Sequence, residues 1–210
     1  MSKKAIIFDF DGTIVDVLPS LINILNRLSG KYGYNIIKEG DVNKLRAKTS
    51  KEMLKSVGIS LLKLPFVVKS VKLELRKEIE FLKPVHGIKE ALLRLRKHGY
   101  KLGIVTSNSE ENVKKFLEAN NLPCFDFVYS GSSFFGKAGM IKSILESQRL
   151  NTEETVYVGD ETKDVDAAKN AGVQIISVSW GFNSRQILEK QKPDFLIDAP
   201  NELIKIVERL

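Results

Sequence analysis

The chain has 210 residues, a formal net charge of +7 and an apolar fraction of 43%. This length fits one domain, or one core with a modest insertion, and the apolar fraction excludes a disordered or fibrous protein. The lack of a long apolar run argues against a membrane span, and the scattered lysines argue against a nucleic-acid partner. The single cysteine, Cys124, excludes an internal disulfide and fits a reducing compartment, so we expect a cytoplasmic protein in which Cys124 is a small buried hydrophobe.

The first predicted element is a buried parallel strand over the apolar run Ala5-Ile6-Ile7-Phe8. Asp9-Phe10-Asp11-Gly12-Thr13 follows it directly, so Asp9 and Asp11 are expected at the carboxyl edge of the sheet, where ligands of open α/β folds bind. Two crowded carboxylates call for a metal ion, a shared proton, or both. An ordinary strand that ends in an Asp-Gly turn is the simpler interpretation of this segment alone.

The next segment, residues 16–82, is predicted to be largely helical and to contain no buried strand. One helical stripe of apolar residues follows Pro19, and another follows Pro65. Between them, Thr49-Ser50-Lys51-Glu52 matches a capping box that starts a helix. We therefore predict a helical cap domain over residues 16–82, inserted after the first strand.

The remainder of the chain is expected to form the core domain, made of residues 1–15 and 83–210. A cap at this point in the chain would overhang the carboxylates at the end of the first strand. Three cations near a predicted helix start in the cap, Arg46, Lys48 and Lys51, either reach a bound anion or are simply solvated.

From residue 83 onward, predicted helices alternate with short apolar strands, which implies a parallel sheet with helices on both faces. The predicted fold class is therefore α/β, with a doubly wound, Rossmann-like parallel sheet and a small inserted α-helical cap. The predicted strands are Lys101 to Thr106, Phe125 to Ser130, Thr155 to Gly159, Val173 to Ser179 and Phe195 to Asp198. Predicted helices lie near 88–97, 110–120, 138–149, 162–171, 184–191 and 201–209.

Polar side chains follow three of these later strands. Thr106-Ser107-Asn108 ends the first of them, where hydroxyl, amide and backbone N–H groups can hold phosphoryl oxygens. Lys137 comes after the next strand and brings a positive charge toward the same edge. Asp160, Glu161 and Asp164 follow the strand after that and supply the hard oxygen ligands that magnesium prefers. Each of these signals is weak alone, and their arrival at one edge is what makes them informative.

Taken together, these segments resemble the four sequence motifs of the haloacid dehalogenase superfamily. The matching segments are Asp9-Phe10-Asp11-Gly12-Thr13, Thr106-Ser107-Asn108, Lys137 and Gly159-Asp160-Glu161-Thr162-Lys163-Asp164. The resemblance covers essentially the whole chain, including the helical segment between the first and second motifs. The subgroup that the chain resembles most is the phosphoglycolate phosphatase-like phosphatases, which carry a small helical cap.

The resemblance implies a role for each matching residue in phosphoryl transfer. Asp9 is implied as the nucleophile that forms an aspartyl-phosphate. Asp11 is implied as the acid that protonates the leaving oxygen and then activates water. Thr106 and Lys137 are implied to bind the phosphoryl group. The other substrate-binding residues in the matching motifs are Thr13, Ser107 and Asn108.

The cofactor that the resemblance implies is Mg²⁺. Its implied ligands are the Asp160 carboxylate, the Asp9 carboxylate, the Asp11 backbone carbonyl and Asp164, with Glu161 as an alternative to Asp164. Asp164 either completes this shell or orients Lys137. Independently of the resemblance, a carboxylate that attacks a phosphate dianion needs cations to offset the repulsion, and magnesium and a lysine supply them.

The implied function is hydrolysis of a small phosphorylated metabolite, such as phosphoglycolate, a sugar phosphate or a nucleotide, by a monomer or a homodimer. A dehalogenase of the same superfamily has no alkoxide to protonate, so Asp11 favours phosphate esters over haloacids. Two alternatives remain open: a phosphomutase of the same superfamily, and a non-enzymatic phospho-acceptor module.

A segment that nearly matches a phosphate-binding P-loop runs from Gly131 to Ala138. Ala138 takes the place of the serine or threonine whose hydroxyl would hold magnesium. Two adjacent phenylalanines also suit poorly a loop whose backbone must wrap around phosphates. We therefore do not expect a nucleotide-hydrolysing P-loop here.

Overall fold

The strands of the computed structural model form one parallel sheet, as predicted. The structure describes residues 4–122, 125–131 and 136–210, with the backbone alone for Ser50 and Lys51. In these ranges the strands are β1 (Ala5–Phe8), β2 (Lys101–Thr106), β3 (Phe127–Ser130), β4 (Thr155–Gly159), β5 (Gln174–Val178) and β6 (Phe195–Ile197). Their order in the sheet is β3-β2-β1-β4-β5-β6, and every neighbouring pair is parallel. The α/β prediction is confirmed.

The helices in the described ranges are α1 (Leu18–Tyr32), α2 (Val42–Arg46), α3 (Ser50–Val57), α4 (Leu64–Glu78), α5 (Ile88–Lys97), α6 (Glu110–Ala119), α7 (Gly136–Ser147), α8 (Thr162–Ala171), α9 (Arg185–Lys190) and α10 (Leu203–Val207). The predicted start of the third strand at Phe125 is wrong by two residues. The Asp126 side chain accepts the Leu102 N–H at 2.8 Å, so a carboxylate replaces the carbonyl that would have extended the ladder. The expectation for Cys124 lies outside the described residues.

Alternate residues of β1 feed two apolar clusters on opposite faces of the sheet. Ile6 and Phe8 lie in the cluster that α5 and α6 cover, whereas Ile7 lies in the cluster that α7 and α8 cover. Phe10 continues the first face, with its ring edge-on to Phe116 at a centroid distance of 5.4 Å. All five side chains are fully buried. Each such burial contributes about 1.5–3 kcal/mol, so the chain that leads to Asp9 and Asp11 is firmly held.

Helices α1 to α4 surround an apolar cluster of their own. Its most buried members are Leu25, Tyr34, Ile37, Val57, Ile59 and Val67. The predicted capping box at the start of α3 is confirmed, because the Thr49 hydroxyl accepts the Glu52 N–H and the Glu52 carboxylate accepts the Thr49 N–H. This pairing satisfies two N–H groups that the first turn of a helix leaves free.

The chain leaves and re-enters the sheet region through two adjacent segments. The Asp16 N–H donates to the Lys83 carbonyl at 2.9 Å, and the Val85 N–H donates to the Ile14 carbonyl at 2.9 Å. The outgoing and returning segments are therefore hydrogen-bonded to each other directly below α1 to α4. None of the helices in the described part of the chain combines the length and apolar composition that a bilayer crossing requires.

The winding of the sheet determines where a ligand can bind. From β1 the chain builds outward through β2 and β3, and it then crosses back to build β4, β5 and β6 on the other side. Such a reversal of strand order opens a crevice at the carboxyl ends of the central strands, because the flanking helices diverge there. The ends of β1, β2 and β4 all lie at this crevice, so the residues that follow these strands can meet.

Replacing Gly103 with alanine is expected to lower the free energy of unfolding by about 1–3 kcal/mol, because overpacking a filled core forces side chains to move. A Cβ on Gly103, in the middle of β2, would lie 1.8 Å from the Phe127 ring. Urea titration measures the effect.

Gly30 provides the matched control, because it lies in α1 and a Cβ there would have no neighbour within 4 Å. Gly30→Ala is expected to raise the free energy of unfolding by about 0.5–1 kcal/mol, since alanine favours the helix. Equal effects of the two substitutions would contradict this description of the core.

Candidate active site

Asp9 lies at the first position beyond β1 and is buried, with 5% of its surface exposed. Its backbone N–H donates to the Val158 carbonyl of β4 at 2.8 Å, which keeps the chain in the sheet. One carboxylate oxygen, Oδ1, accepts the Phe10 N–H at 2.8 Å. The other, Oδ2, lies 2.8 Å from the Lys137 ammonium. Asp9 is therefore held in one orientation, with its charge directed into the crevice.

Lys137 joins Asp9 to Asp164. It lies in the first turn of α7, and its Nζ is 2.5 Å from Asp164 Oδ1 and 5.9 Å from the centre of the Tyr157 ring. Asp164 is completely buried, and its other oxygen accepts the Glu161 N–H at the start of α8. Burial alone would lower the pKa of Lys137, but Asp164 and Asp9 together hold that pKa well above its ordinary value. Lys137 therefore stays charged.

Asp160 follows β4 and is completely buried. Its Oδ1 accepts the Thr13 hydroxyl at 2.8 Å, and its Oδ2 accepts the Phe182 N–H at 2.6 Å. Two glycines make room for it: a Cβ on Gly12 would lie 2.3 Å from Asp160 Oδ2, and one on Gly181 would lie 2.1 Å from it. Gly12 also has a φ of +85°, which favours glycine. The backbone therefore packs directly against this carboxylate.

These three carboxylates form one cluster. Asp9, Asp160 and Asp164 each offer an oxygen, and the three oxygens lie within 4.8 Å of one another. Burial raises the pKa of Asp9 to about 7, with Lys137 opposing that rise and Asp164 adding to it. Burial, followed by the charges of Asp9 and Asp164, raises the pKa of Asp160 well above its ordinary value. With all three carboxylates ionised, the cluster would therefore carry more negative charge than Lys137 balances.

A divalent metal ion would fit this set of donors. All three are hard carboxylate oxygens, which suit Mg²⁺. The excess of buried negative charge is also what a bound cation would neutralise. The Asp11 carboxylate does not belong to the trio, so the metal-binding role predicted for Asp11 concerns its backbone carbonyl alone.

Asp11 faces the end of β2. The Asn108 side-chain amide lies 3.4 and 3.5 Å from its two carboxylate oxygens. The amide oxygen of Asn108 accepts the Ser109 N–H and the Asn112 side-chain N–H, which directs its NH₂ group at Asp11. Loss of water raises the pKa of Asp11 to about 6, although the contact with Asn108 opposes the rise. A carboxyl group with such a pKa can exchange a proton near neutral pH.

The second predicted motif forms the loop between β2 and α6. Thr106 is buried, and its hydroxyl accepts the Asn108 N–H at 2.9 Å. Ser107 is exposed, and Ser109 caps α6 by accepting the Asn112 N–H. The loop therefore carries Ser107 and Asn108 to the same edge of the sheet as Asp11.

The structure thus brings the predicted residues of four separate segments to one edge of the sheet. Four of those expected to bind substrate contact other protein groups. Thr13 donates to Asp160, Thr106 accepts the Asn108 N–H, Asn108 faces Asp11, and Lys137 pairs with Asp9 and Asp164. The substrate-binding roles of Thr13, Thr106, Ser107, Asn108 and Lys137 stay predictions. For the P-loop-like segment, residues 132–135 lie outside the described residues, and α7 begins at Gly136.

The loop that follows β5 also contacts the acidic cluster. From the sequence, its Trp180 and the following Gly181-Phe182-Asn183 either line the pocket or pack in the core, and core packing is favoured. Its Gly181 and Phe182 contact Asp160, and its carbonyl groups bind the side chain of Arg46. Arg46 was expected to reach an anion or to be solvated, but its guanidinium contacts this loop. Trp180 and Phe182 pack against the core, as favoured, but the contacts with Asp160 and Arg46 were not predicted. A glycine just after a strand, which marks a close approach of backbone, was a further signal. Lys48 contacts the Ser56 hydroxyl, and the Lys51 side chain lies outside the described residues.

Replacing Lys137 with methionine is expected to lower the free energy of unfolding by about 3 kcal/mol in the presence of EDTA, since Asp9 and Asp164 lose their buried partner. Added Mg²⁺ should restore much of this loss. Denaturant titration with and without Mg²⁺ measures both effects.

Lys142→Met is the control on the same helix, because Lys142 is exposed. It should change the free energy of unfolding by less than about 0.5 kcal/mol. An EDTA-treated Lys137→Met protein as stable as the wild type would contradict the charge balance described above.

Comparison with known proteins agrees with this architecture. The family model for haloacid dehalogenase-like hydrolases matches residues 6–178. The chain is 35% identical, over 208 residues, to a phosphoglycolate phosphatase of Synechococcus elongatus, with 99% of this chain and 98% of that protein covered. It is also 26% identical to the pyrophosphatase PpaX of Bacillus mycoides, with 100% and 99% covered.

A solved structure has the same fold. It is a haloacid dehalogenase-like family hydrolase from Streptococcus pneumoniae, with a TM-score of 0.81 and 23% identity, and the match covers 97% of this chain and 98% of that one. The family match extends from β1 to β5 and so includes every residue of the acidic cluster. The chain therefore belongs to the haloacid dehalogenase-like hydrolase family.

Proposed function

We propose that this protein is a magnesium-dependent phosphatase that hydrolyses a small phosphate monoester through an aspartyl-phosphate on Asp9. The observation that carries the proposal is the buried trio of Asp9, Asp160 and Asp164 at the crevice of the sheet, two of which, Asp9 and Asp164, pair with Lys137. The names of the relatives, phosphoglycolate phosphatase and pyrophosphatase, point to small phosphorylated metabolites as the substrate class. We assign the reaction to the cytoplasm, and monomer or homodimer stays a prediction.

In the first step, a carboxylate oxygen of Asp9 attacks the phosphorus atom of the substrate. An O–P bond to Asp9 forms while the ester O–P bond breaks, and the leaving oxygen takes a proton from the Asp11 carboxyl group. The pKa of Asp11, raised to about 6, supports this role because part of the population holds a proton near neutral pH. Asp11 should contribute on the order of 10² to 10⁴ to the rate.

In the second step, water attacks the phosphorus atom of the aspartyl-phosphate. Asp11, now ionised, accepts a proton from this water, and the O–P bond to Asp9 breaks to release phosphate. The same carboxyl group thus acts as acid and then as base. The Asn108 amide supports the second step, because its NH₂ group faces both oxygens of the ionised Asp11 carboxylate.

Charge neutralisation is the main task of the remaining residues. The Lys137 ammonium lies 2.8 Å from Asp9, so it can offset the repulsion between this carboxylate and an incoming phosphate dianion. The Asp9 and Asp160 carboxylates and the Asp11 backbone carbonyl would hold Mg²⁺, with Asp164 either completing this shell or orienting Lys137. The ion would supply the further positive charge that phosphoryl transfer needs. Thr106, Ser107 and Asn108 are proposed to hold the phosphoryl oxygens.

We further propose that residues 16–82 act as a cap over the crevice, with residues 1–15 and 83–210 as the core. Two features support this division: α1 to α4 enclose their own apolar cluster, and the chain enters and leaves them through the paired segments around Asp16 and Lys83. Opening of such a cap would admit substrate, and closure would exclude water during the attack by Asp9.

Phosphate release from a panel of monoesters, including phosphoglycolate, sugar phosphates and nucleotides, together with inorganic pyrophosphate, tests the function. We expect Mg²⁺-dependent turnover of at least one of them. Asp9→Asn should abolish that turnover, because the amide is not a nucleophile for phosphorus, while circular dichroism shows an intact fold. Asp166→Asn, which changes an exposed acid on α8, should retain wild-type turnover.

The alternatives give different outcomes in the same assay. A phosphomutase would move the phosphoryl group to another hydroxyl of a sugar phosphate without releasing stoichiometric phosphate, and a phospho-acceptor module would stop after one equivalent. Wild-type turnover by Asp9→Asn would remove Asp9 from the nucleophile role.

Asp160→Ala is expected to raise the Mg²⁺ concentration required for half-maximal activity by at least about 10-fold, since a buried carboxylate ligand is lost. Activity measured over a range of Mg²⁺ concentrations reports the shift. Asp166→Asn again serves as the control, and an unchanged Mg²⁺ requirement in Asp160→Ala would exclude Asp160 as a ligand.

A further inference from the structure

One peptide plane joins Arg46 of the helical segment to Asp160 of the acidic cluster. The peptide between Gly181 and Phe182 has its carbonyl oxygen 3.0 Å from the Arg46 Nε and its N–H 2.6 Å from Asp160 Oδ2. Because a peptide unit is planar and rigid, the position of its carbonyl determines the direction of its N–H. Arg46 therefore acts on the orientation of the group that holds Asp160.

The Arg46 side chain makes a second bond to the same loop. Its Nη2 donates to the Ser179 carbonyl at 2.6 Å, so one planar guanidinium holds two carbonyls of the loop at once. A lysine in this place could not reproduce that paired geometry. The bond from Arg46 to the Gly181 carbonyl also polarises the Gly181–Phe182 peptide, which strengthens the hydrogen bond from the Phe182 N–H to Asp160.

The backbone of the helical segment holds the loop from the other direction. The Ser184 N–H donates to the Arg46 carbonyl at 2.7 Å, and the buried Asn183 side chain donates to the Lys48 carbonyl at 2.9 Å. The amide oxygen of Asn183 accepts the Thr162 N–H at the start of α8, next to the acidic cluster. The loop is thus attached to residues 46–48 on one side and to the cluster on the other.

Trp180 links the loop to the second group that holds Asp160. Its indole N–H donates to the Thr13 carbonyl at 3.1 Å, and the Thr13 hydroxyl donates to Asp160 Oδ1. One oxygen of Asp160 therefore accepts a hydrogen bond from the loop of residues 179–184 itself. The other accepts one from Thr13, which this loop contacts through Trp180. Trp180 is also the only tryptophan of the chain, so its emission reports on this loop alone.

We infer that Arg46 is a positioning residue for the metal site: through the Gly181–Phe182 peptide it orients Asp160 for metal binding. The inference rests on the proposed function in one respect, because it takes Asp160 as a metal ligand. It gives the proposed cap a second role, since withdrawal of Arg46 on opening would loosen the Asp160 carboxylate and closure would tighten it. Metal affinity would then depend on whether the cap is closed.

Calorimetric titration of the substrate-free protein with Mg²⁺ tests the inference. Arg46→Ala should weaken Mg²⁺ binding roughly 10-fold, as expected when a group that orients a metal ligand is lost. A purely through-space effect has the opposite sign, because removing a positive charge near an anionic site would tighten Mg²⁺ binding. Arg46→Lys can keep one of the two bonds to the loop but not the pair, so its affinity should fall between those of wild type and Arg46→Ala.

Lys44→Ala provides the matched control, because Lys44 is an exposed cation on the same helix, and it should bind Mg²⁺ as the wild type does. The emission of Trp180 in EDTA gives a readout independent of metal and activity. In Arg46→Ala it should shift to longer wavelength as the loop separates from Thr13 and the indole becomes hydrated. Should Arg46→Ala fail to fold, the Mg²⁺ titration and the emission measurement are both made on Arg46→Lys.

The outcomes separate this inference from the proposed function. If the wild type binds Mg²⁺, Asp160→Ala does not, and both Arg46 variants bind as tightly as the wild type or more tightly, the inference is overturned and the proposed function stands. If the wild type binds no Mg²⁺, both are overturned. Weaker binding in the Arg46 variants together with the emission shift is the expected result.

Discussion

The repulsion among three buried carboxylates is the constraint on which the rest of this structure depends. Asp9 and Asp160 follow the adjacent strands β1 and β4, and Asp164 lies in the first turn of α8. Within the described residues, Lys137 is the ammonium that pairs with Asp9 and Asp164. Such a cluster would separate unless the surrounding structure held it, and holding it together raises the pKa values of Asp9 and Asp160. Parallel strands buried on both faces provide that hold, since moving any of these acids would disrupt the filled apolar clusters.

The support around the cluster comes from backbone as much as from side chains. Gly12 and Gly181 let two loops pack against Asp160 at distances that any Cβ would block. The same close approach allows the Phe182 N–H to reach the Asp160 carboxylate. The Gly181 carbonyl also accepts a hydrogen bond from Arg46. The loop around Gly181, which has no room for a side chain next to Asp160, therefore also connects the site to the helical segment. Packing and proposed metal chemistry thus depend on the same few peptides.

The parts of this site that the sequence could predict share a local signature. Asp9 and Asp160 each follow a short apolar strand, and a parallel sheet brings such positions together whatever the rest of the chain does. The contact between Arg46 and Gly181 has no such signature, because it joins residues 135 positions apart through backbone carbonyls, which every residue carries. The hydrogen bond from Thr13 to Asp160 was missed for a related reason: a threonine in the first motif fits a substrate contact and a structural one equally well. Asp126 shows the same limit, since a side chain there replaces a ladder bond.

The location of a bound divalent ion shows whether the acidic cluster is a metal site. Crystals soaked with Mn²⁺, which resembles Mg²⁺ in its preference for oxygen ligands, would reveal the ion by anomalous scattering. We expect one anomalous peak in the crevice, coordinated by the carboxylates of Asp9 and Asp160, with Lys137 still paired to Asp164. A peak elsewhere on the protein, with the acidic cluster unchanged and free of metal, would contradict it.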